Sequence, residues 1–246
     1  MAIHDAASQR LYVEADLTLS GRLTVTVEQA NYLLNVLRLR AGASVRVFNG
    51  RDGEWASQVG EVSKRSCQLL LKHQTRAQVV GPDIDYLFAP LKRARLDYMV
   101  QKATEMGVRR LRPVITRHTN AARVNLERLR ANAIEAAEQC GVLGVPEVLE
   151  PVPLAVALAG WAPGRSLLFA DEAAAIADPI AALRLVSPGP VAVLIGPEGG
   201  FHVDERAQLR GLTCTHPISL GPRIMRADTA AIAMLALVNA VLGDWR

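Results

Sequence analysis

The chain has 246 residues, of which 50% are hydrophobic and 21% charged, a composition typical of globular proteins with one large or two modest domains. No apolar stretch reaches the ~20 residues needed to cross a bilayer, and the N-terminus lacks the apolar core of a signal peptide. The odd set of Cys67, Cys140 and Cys214 fits neither a disulfide framework nor a zinc site. We therefore expect a cytoplasmic protein with no membrane segment and no metal.

The net charge of +4 is unevenly distributed along the chain. Residues 1–130 contain 21 Lys and Arg against 12 Asp and Glu, whereas residues 131–246 contain 7 against 12. A basic first half favours a polyanionic partner such as a nucleic acid. The alternative is a solvated surface whose charge asymmetry arose by chance.

The first 75 residues predict a small β-rich unit. Its predicted strands are Arg10–Val13 (RLYV), Leu23–Val27 (LTVTV) and the segment CQLLLK that starts at Cys67. Asn-Gly and Asp-Gly pairs within residues 49–53 predict a hairpin between two further strands. A short amphipathic helix is predicted between the strand Leu23–Val27 and this hairpin, and it presents on one side Tyr32, Leu33, Val36 and Leu37. Residues 74–83, which end in a Gly-Pro turn, are predicted to be a linker.

From Ile84 onward, strand and helix patterns alternate. The predicted strands are IDYLFAP (from Ile84), RLRPVI (from Arg110), SLLFA (from Ser166), VAVLI (from Val191) and PISL (from Pro217). The predicted helices are residues 92–108, 125–140, 204–210 and 228–242. This alternation is typical of an α/β fold with a mostly parallel sheet covered by helices.

Two Gly-Pro loops follow strands of the predicted parallel sheet. They are IGPEGGF (Ile195–Phe201) and SLGPRIM (Ser219–Met225). Ligands of such sheets bind at the carboxyl ends of the strands. Neither loop has the dinucleotide or phosphate-loop pattern, and the carboxylate of Glu198 would repel a phosphate. A cationic or hydroxyl-rich ligand, such as an adenosine joined to a sulfonium, fits better; two ordinary tight turns are the alternative.

Four motifs, in their order and spacing, carry a family resemblance. They are KRARLDYMVQKATEMGV, EAAEQC, IGPEGGF and SLGPRIMRADTAAIAML, and they resemble the RsmE family of the SPOUT methyltransferases. The resemblance extends to RLYV and NYLLNVLRLRAGASVRVFNG, and so to nearly the whole chain. It implies a PUA-like β-barrel RNA-binding domain over residues 1–75. It also implies a SPOUT α/β methyltransferase domain over residues 76–246, with a C-terminal trefoil knot and cofactor site at about residues 191–246.

The same resemblance implies the ligand and the substrate. S-adenosylmethionine would bind in the knot, and the product would be N3-methyluridine in 16S ribosomal RNA of the small subunit. The implied cofactor-binding residues are Ile195, Gly196, Pro197, Gly200, Leu220, Gly221, Ile224, Met225 and Thr229. Met225 and Asp228 depart conservatively from the Leu and Glu of the family pattern. Asp171 and Glu172, which follow a third strand, could contact the ribose or methionine part.

The chemistry of N3 methylation asks for a fixed cation, because loss of the N3 proton places negative charge on the uracil carbonyl oxygens. Arg226, directly after the second loop, is the first candidate for this catalytic role, and Arg223 is the second. A purely bracing role, in which Arg226 pairs with Glu198 or Asp228, is the alternative. The sequence offers no convincing general base; Glu198 is a possible one if its surroundings make the carboxylate basic enough to accept the N3 proton.

Basic residues in two places are expected to bind RNA phosphates, which position a substrate without reading its sequence. The expected contacts are Arg10, Arg38 and Arg40 in the first unit and Lys92, Arg93 and Arg95 at the start of a helix. Three basic residues at a helix N-terminus oppose the helix dipole, which favours a binding role over a structural one.

Two rival functions and one assembly prediction complete the sequence reading. The rivals are a SPOUT enzyme that acts on transfer RNA and a non-catalytic RNA-binding scaffold that needs no cofactor. The last helix carries no charged residue between Thr229 and Gly243. Because a helix on a monomer's surface normally has a polar face, and because SPOUT enzymes are typically dimers, we expect a homodimer that packs through this helix.

Overall fold

The computed structural model describes residues 9–63, 66–120 and 123–245. The chain divides into two compact units, one formed by residues 1–80 with 137–144 and the other by residues 81–136 with 145–246. Each unit has its own hydrophobic core. The predicted linker at residues 74–83 begins too early, because the fifth strand continues to Arg76.

The first unit is built on a five-stranded sheet. Its strands are β1 (Arg10–Tyr12), β2 (Arg22–Thr24), β3 (Ser44–Phe48), β4 (Glu54–Val62) and β5 (Cys67–Arg76). They lie in the order β1-β3-β4-β5-β2; β1 runs parallel to β3, and all other pairs are antiparallel. The predicted hairpin is confirmed as β3 and β4. Register shifts between β4 and β5 bend the strands, which curls the sheet.

The predicted amphipathic helix of the first unit is divided into two segments. Thr26 begins helix α1 (Val27–Asn31) with a capping box, and a π-helical turn follows over Tyr32–Val36. Leu33 is fully buried as predicted, but Val36 is 61% exposed. The expectation that Val36 shares the apolar side was wrong, because the wider π-helical turn no longer follows the 3.6-residue period on which the prediction rests.

A buried arginine of the first unit's sheet forms an ion pair within the sheet and hydrogen bonds to residues 137–144. Arg10 Nε donates to Glu54 Oε2 at 2.7 Å, and the side chains are 2% and 3% exposed. The Arg10 guanidinium also donates to the carbonyl oxygens of Ala137, Glu138 and Val142. One arginine therefore satisfies several backbone acceptors, which would cost free energy if they were left unpaired in the interior.

The second unit is built on a parallel sheet. Its strands are β6 (Ile84–Phe88), β7 (Arg110–Ile115), β8 (Glu147–Val148), β9 (Val152–Pro153), β10 (Ser166–Ala170), β11 (Val191–Ile195) and β12 (Thr215–Ile218). The order is β12-β10-β11-β6-β7-β8, with β9 also paired to β7, and every pair is parallel. All five residues of β6 and of β11 are buried, which explains the continuous apolar pattern of β11. The buried Asp85 of β6 is paired with Arg110 and Arg112.

Helices cover this sheet. They are α2 (Arg93–Glu105), α3 (Leu126–Cys140), α4 (Leu154–Ala159), α5 (Pro179–Leu183), α6 (Val203–Gly211) and α7 (Ala227–Val241). The final helix α7 packs against α2, α5 and β11. Asn239 fixes its position by donating from Nδ2 to the carbonyl oxygen of Met106, at the end of α2, at 2.9 Å. Within the described ranges, none of the helices has the length and apolar character that a membrane span requires.

The buried ion pair predicts how the first unit responds to a single substitution. Burial by itself raises the pKa of the Glu54 carboxyl, but the hydrogen bond from Arg10 and its charge hold that pKa below its usual range. Glu54→Gln leaves the buried Arg10 cation without its partner. We expect a loss of about 3–5 kcal/mol of unfolding free energy, measured by urea denaturation with tryptophan fluorescence, to which Trp55 contributes from the first unit.

The pH dependence of stability gives a second measurement on the same variant. Because the folded pKa of Glu54 is lowered, its stabilisation is complete above about pH 5 and is lost as the pH falls below ~4.3. The Glu54→Gln variant should therefore lose stability less steeply across that window. Asp16→Asn, which breaks the exposed pair with Arg51, should change stability by less than about 1 kcal/mol. Equal losses in the two variants would contradict a special role for the buried pair.

Candidate functional site

The carboxyl ends of four neighbouring strands meet at one edge of the parallel sheet. After β10, the Asp171 N–H donates to the carbonyl oxygen of Ile218 at the end of β12, at 3.0 Å. After β6, the Ala89 N–H donates to the carbonyl oxygen of Ile195 at the end of β11, at 3.2 Å. Both Gly-Pro loops begin at this edge, so the structure brings the two predicted loops together.

The first loop, residues 196–200, follows β11. A Cβ added to Gly196 would lie 3.0 Å from the ring of Phe201, so glycine lets the ring pack closely over the loop. Pro197 and Ile195 are buried, whereas Glu198 is exposed. The side chain of Glu198 is therefore the part of this loop that a bound molecule can reach directly.

The second loop, residues 219–225, follows β12. Leu220 and Met225 pack against the core of the unit, whereas the side chain of Ile224 is 98% exposed. Gly221 has a φ of +97° with open space beside it, a conformation that residues with a Cβ rarely adopt. The loop therefore presents a bare apolar side chain and an accessible backbone at the same edge.

Arg226 lies where the second loop meets α7, as the N-cap residue of that helix. It is exposed, and within the described part of the chain its guanidinium makes no ion pair or hydrogen bond. The bracing alternative paired it with Glu198 or Asp228. Instead, Glu198 lies 3.4 Å from Arg95, and Asp228 accepts from the backbone N–H of Thr229. Arg223 is also exposed.

A cleft of about 1320 Å³ opens beside the first loop. It is lined by residues of the α2 N-terminus and of the segment before α3, together with Glu198. Its charged side chains are Lys92, Arg93, Arg95, Asp97, Arg123, Arg128 and Glu198. The cleft therefore has five basic and two acidic side chains, a surplus suited to a polyanion.

The sequence-based predictions missed five polar residues of this cleft, which are Asp97, Asn120, Arg123, Asn125 and Arg128. Asn120, Arg123 and Arg128 lie just before and in the first turn of α3. A double hydrogen bond from Arg128 lowers the pKa of Asp97. The Asp97 carboxylate is therefore ionised, and its negative charge is balanced by Arg128. The basic run RVNLERLR was the available signal, but its residues are brought beside α2 only by the fold.

The predicted RNA contacts divide by burial. Arg10 was predicted wrongly, because its side chain is 2% exposed and its donors are used by Glu54 and backbone carbonyls. Arg38 and Arg40 are exposed. Arg38 has a φ of +57°, an uncommon conformation for a residue with a Cβ, of the kind that concentrates at functional sites. Lys92 and Arg93 are exposed at the start of α2.

Asp171 and Glu172 are engaged by helix α6. The Asp171 carboxylate accepts from Arg210 at 2.6 and 2.9 Å, and its side chain is fully buried. Glu172 accepts from Arg206 at 2.7 Å. The expected contacts to a ribose or methionine group would require these pairs to open. Over the ranges that the structure covers, no cluster of three His, Cys, Asp or Glu side chains could hold a metal ion.

Comparison of the chain with protein families gives two matches that together span most of it. A model described as an RNA methyltransferase domain matches residues 80–239, and one described as an RNA methyltransferase PUA domain matches residues 25–72. A relative from Rickettsia conorii, named Ribosomal RNA small subunit methyltransferase E, is 31% identical over 94% of each chain. A relative of the same name from Bacillus subtilis is 26% identical, over 94% of this chain and 96% of its own.

Solved structures agree with the fold. A ribosomal RNA small subunit methyltransferase E from Neisseria gonorrhoeae, bound to S-adenosyl methionine, matches with a TM-score of 0.88 at 24% identity, over 97% of this chain and 100% of its own. A putative methyltransferase from Legionella pneumophila, in complex with SAM, matches with a TM-score of 0.85 at 27% identity, over 96% and 99%. On the family models and the relatives, the chain belongs to the Ribosomal RNA small subunit methyltransferase E family, with a PUA domain followed by an RNA methyltransferase domain.

Proposed function

We propose that this protein transfers a methyl group from S-adenosylmethionine to N3 of one uridine in 16S ribosomal RNA. The observation that carries the proposal is the position of Glu198. Its side chain stands on the first Gly-Pro loop and also lines the basic cleft, so a cofactor at the loops and an RNA strand in the cleft would adjoin. Family membership supports both ligands.

The residues at the sheet edge fit this cofactor. The exposed Ile224 and the open backbone at Gly221 offer an apolar and hydrogen-bonding surface for an adenine, with Leu220 and Met225 behind it. We assign cofactor contacts, as expected from the sequence, to the two loops, to the end of β11 and to the first turn of α7. The residues are Ile195, Gly196, Pro197, Gly200, Leu220, Gly221, Ile224, Met225 and Thr229. When bound, the cofactor supplies an electrophilic methyl group on a sulfonium. The carboxylate of Glu198 suits that positive charge and repels a phosphate.

The catalytic roles follow from charge. The unpaired guanidinium of Arg226 is available to a uracil carbonyl oxygen as negative charge develops there. Such fixed donors stabilise a transition state because they need no reorganisation. Glu198 is the carboxylate at hand to accept the N3 proton. Its ion pair with Arg95 is partly exposed on both sides and contributes at most about 1 kcal/mol, so a phosphate can displace it.

RNA binding is assigned to exposed basic residues in both units. In the first unit these are Arg38 and Arg40, at the end of the π-helical turn. In the second unit they are Lys92, Arg93 and Arg95, with Arg123 added from the cleft. Such contacts would hold the strand while the target base leaves its stack to be reached.

The architecture that the resemblance implies is part of this proposal. We propose that residues 1–75 are a PUA-like β-barrel and that residues 76–246 are a SPOUT domain with a C-terminal trefoil knot. The C-terminal helix α7 packs against β11 and α2. This position supports the proposal that the end of the chain passes beside the two loops, as a C-terminal knot would require. We also propose a cytoplasmic location, in agreement with an odd set of three widely spaced cysteines at positions 67, 140 and 214, and chemistry without a metal.

The function is tested by measuring methyl transfer to three substrates in parallel. The protein would be incubated with labelled S-adenosylmethionine and undermethylated 30S subunits, naked 16S RNA or transfer RNA. We expect label in 16S RNA as N3-methyluridine, identified by mass spectrometry of the nucleosides. Label in transfer RNA alone would establish the rival substrate. Failure to bind the cofactor in calorimetry would favour the scaffold reading.

The catalytic assignment predicts a specific kinetic pattern for Arg226→Ala. Removal of one preorganised donor costs about 10²- to 10³-fold in kcat, while cofactor affinity should change only a few-fold. Single-turnover rates and calorimetry measure the two effects separately. Arg109→Ala, an exposed arginine just before β7 at the opposite edge of the sheet, is the matched control. Near-normal turnover of Arg226→Ala would exclude the electrostatic role.

A homodimer is proposed from the surface of α7. One side of this helix is buried in the unit, but Ile232, Ala233, Ala236 and Leu237 remain half-exposed. Their spacing of one and four residues places them on a single helical face. A bare apolar face of this kind is typical of a subunit interface, and a second copy of the chain presents the same face for a two-fold contact.

The dimer predicts a mass of twice the 26.6 kDa chain in light scattering at micromolar concentration. Ile232→Glu should shift the protein toward the monomer, because the interface would bury an unpaired carboxylate. Val156→Glu, at an exposed apolar position on α4, should leave the mass unchanged. A wild-type protein that is monomeric and fully active would contradict the proposal.

A further inference from the structure

The tip of the loop between β7 and α3 contacts the first Gly-Pro loop. His118 lies against Gly199, where an added Cβ would come within 3.3 Å of the His118 Cβ. Arg117 lies against the first turn of α6, which follows the loop directly. The clasp, which we define as Arg117 and His118 with His202 and Glu205, therefore connects two segments more than 80 residues apart.

His118 makes the direct contact to the loop. Its Nδ1 lies 3.1 Å from the carbonyl oxygen of Gly199 and 3.0 Å from that of Gly200. Both partners can only accept, so Nδ1 carries a proton and donates it between them. The contact thus fixes the orientation of two consecutive peptide groups in the most glycine-rich part of the loop.

Glu205, in the first turn of α6, holds the end of the first loop to the segment after β7. Its carboxylate accepts the backbone N–H of Arg117 through Oε1 and that of His202 through Oε2, each at 2.9 Å. The Arg117 guanidinium lies 2.8 Å from His202 Nδ1 and 2.8 Å from Asp204 Oδ2. One carboxylate and one arginine thereby hold the end of the loop to the tip beside β7.

The clasp restricts the backbone conformational freedom that the glycine-rich composition of the first loop would otherwise allow. Between Ile195, at the end of β11, and His202, at the start of α6, three of six residues are glycine. Glycine loses more backbone entropy than any other residue when it is ordered. If that ordering is complete before a ligand arrives, binding is stronger because less freedom is lost on association.

We propose that His118 is a positioning residue that preorganises residues 196–200 for the cofactor. This rests on the proposed function, since it assigns the cofactor to that loop. His118 acts through the peptide groups of Gly199 and Gly200 and takes no proton from the substrate. The sequence reading gave no role to His118 and placed His202 on the surface, whereas His202 caps α6 and is 32% exposed at its side chain.

The test compares two amides at position 118. Asn places its Nδ2 donor at the position of the histidine Nδ1, whereas Gln places its donor one bond farther out, as histidine Nε2 does. We expect His118→Gln and His118→Ala to weaken S-adenosylmethionine binding in calorimetry by about 3- to 10-fold, the range that one hydrogen bond supplies. His118→Asn should bind S-adenosylmethionine with an affinity within about two-fold of that of the wild type.

Hydrogen exchange of the cofactor-free protein gives an independent readout. Amides of residues 199–203 should exchange faster in His118→Gln and His118→Ala than in wild type or His118→Asn. His73→Ala, at an exposed histidine of the first unit, should change neither measurement. Equal affinity and equal exchange across all position-118 variants would overturn the positioning role. A wild-type protein that binds no S-adenosylmethionine, with exchange altered as expected, would overturn the proposed function while leaving the clasp in place.

Discussion

The parallel direction of every strand pair in the second sheet is the constraint on which the candidate site depends. Parallel strands end at a common edge, so loops far apart in the chain leave from neighbouring points. Here β11 is hydrogen-bonded on both sides, to β10 and β6, and β12 lies beyond β10. The two Gly-Pro loops, the start of α2 and the tip after β7 are therefore gathered without any direct sequence relation.

The same edge separates rigid supports from accessible groups. Buried strands and the paired carboxylate of Asp171 hold the base of the site, and the clasp holds the first loop. The exposed groups include three with distinct chemistry: the apolar Ile224, the carboxylate of Glu198 and the guanidinium of Arg226. A site of this kind can exchange ligands while its supports stay in place, because the contacts that order it are not those that a ligand would use.

Burial divides the basic residues of this protein into two uses. Arg10 is enclosed by Glu54 and by backbone carbonyls, and it contributes to the cohesion of the first unit. Arg38, Arg40 and the cleft residues keep their charges at the surface. A buried charge must be paired, because isolation in a low dielectric is very costly. A surface charge can remain available to a polyanion, and the unequal charge of the two chain halves alone could not separate these uses.

The sequence by itself determined the family and the longer elements, but it did not predict the short elements β8, β9, α4 and α5. Mainly apolar runs marked β6, β10 and β11, and Asn-Gly and Asp-Gly pairs marked the β3–β4 hairpin. The Gly-Pro loops marked the candidate site. These signals can be recognised in the sequence because they depend on local backbone and burial preferences. The tertiary structure alone decided that Arg10 is internal, that Val36 faces solvent and that Arg123 joins Lys92 in one cleft. It also decided that His118 reaches Gly199 and Gly200. These are contacts between distant segments, and no local pattern carries the distance between residues that meet only when the chain is folded.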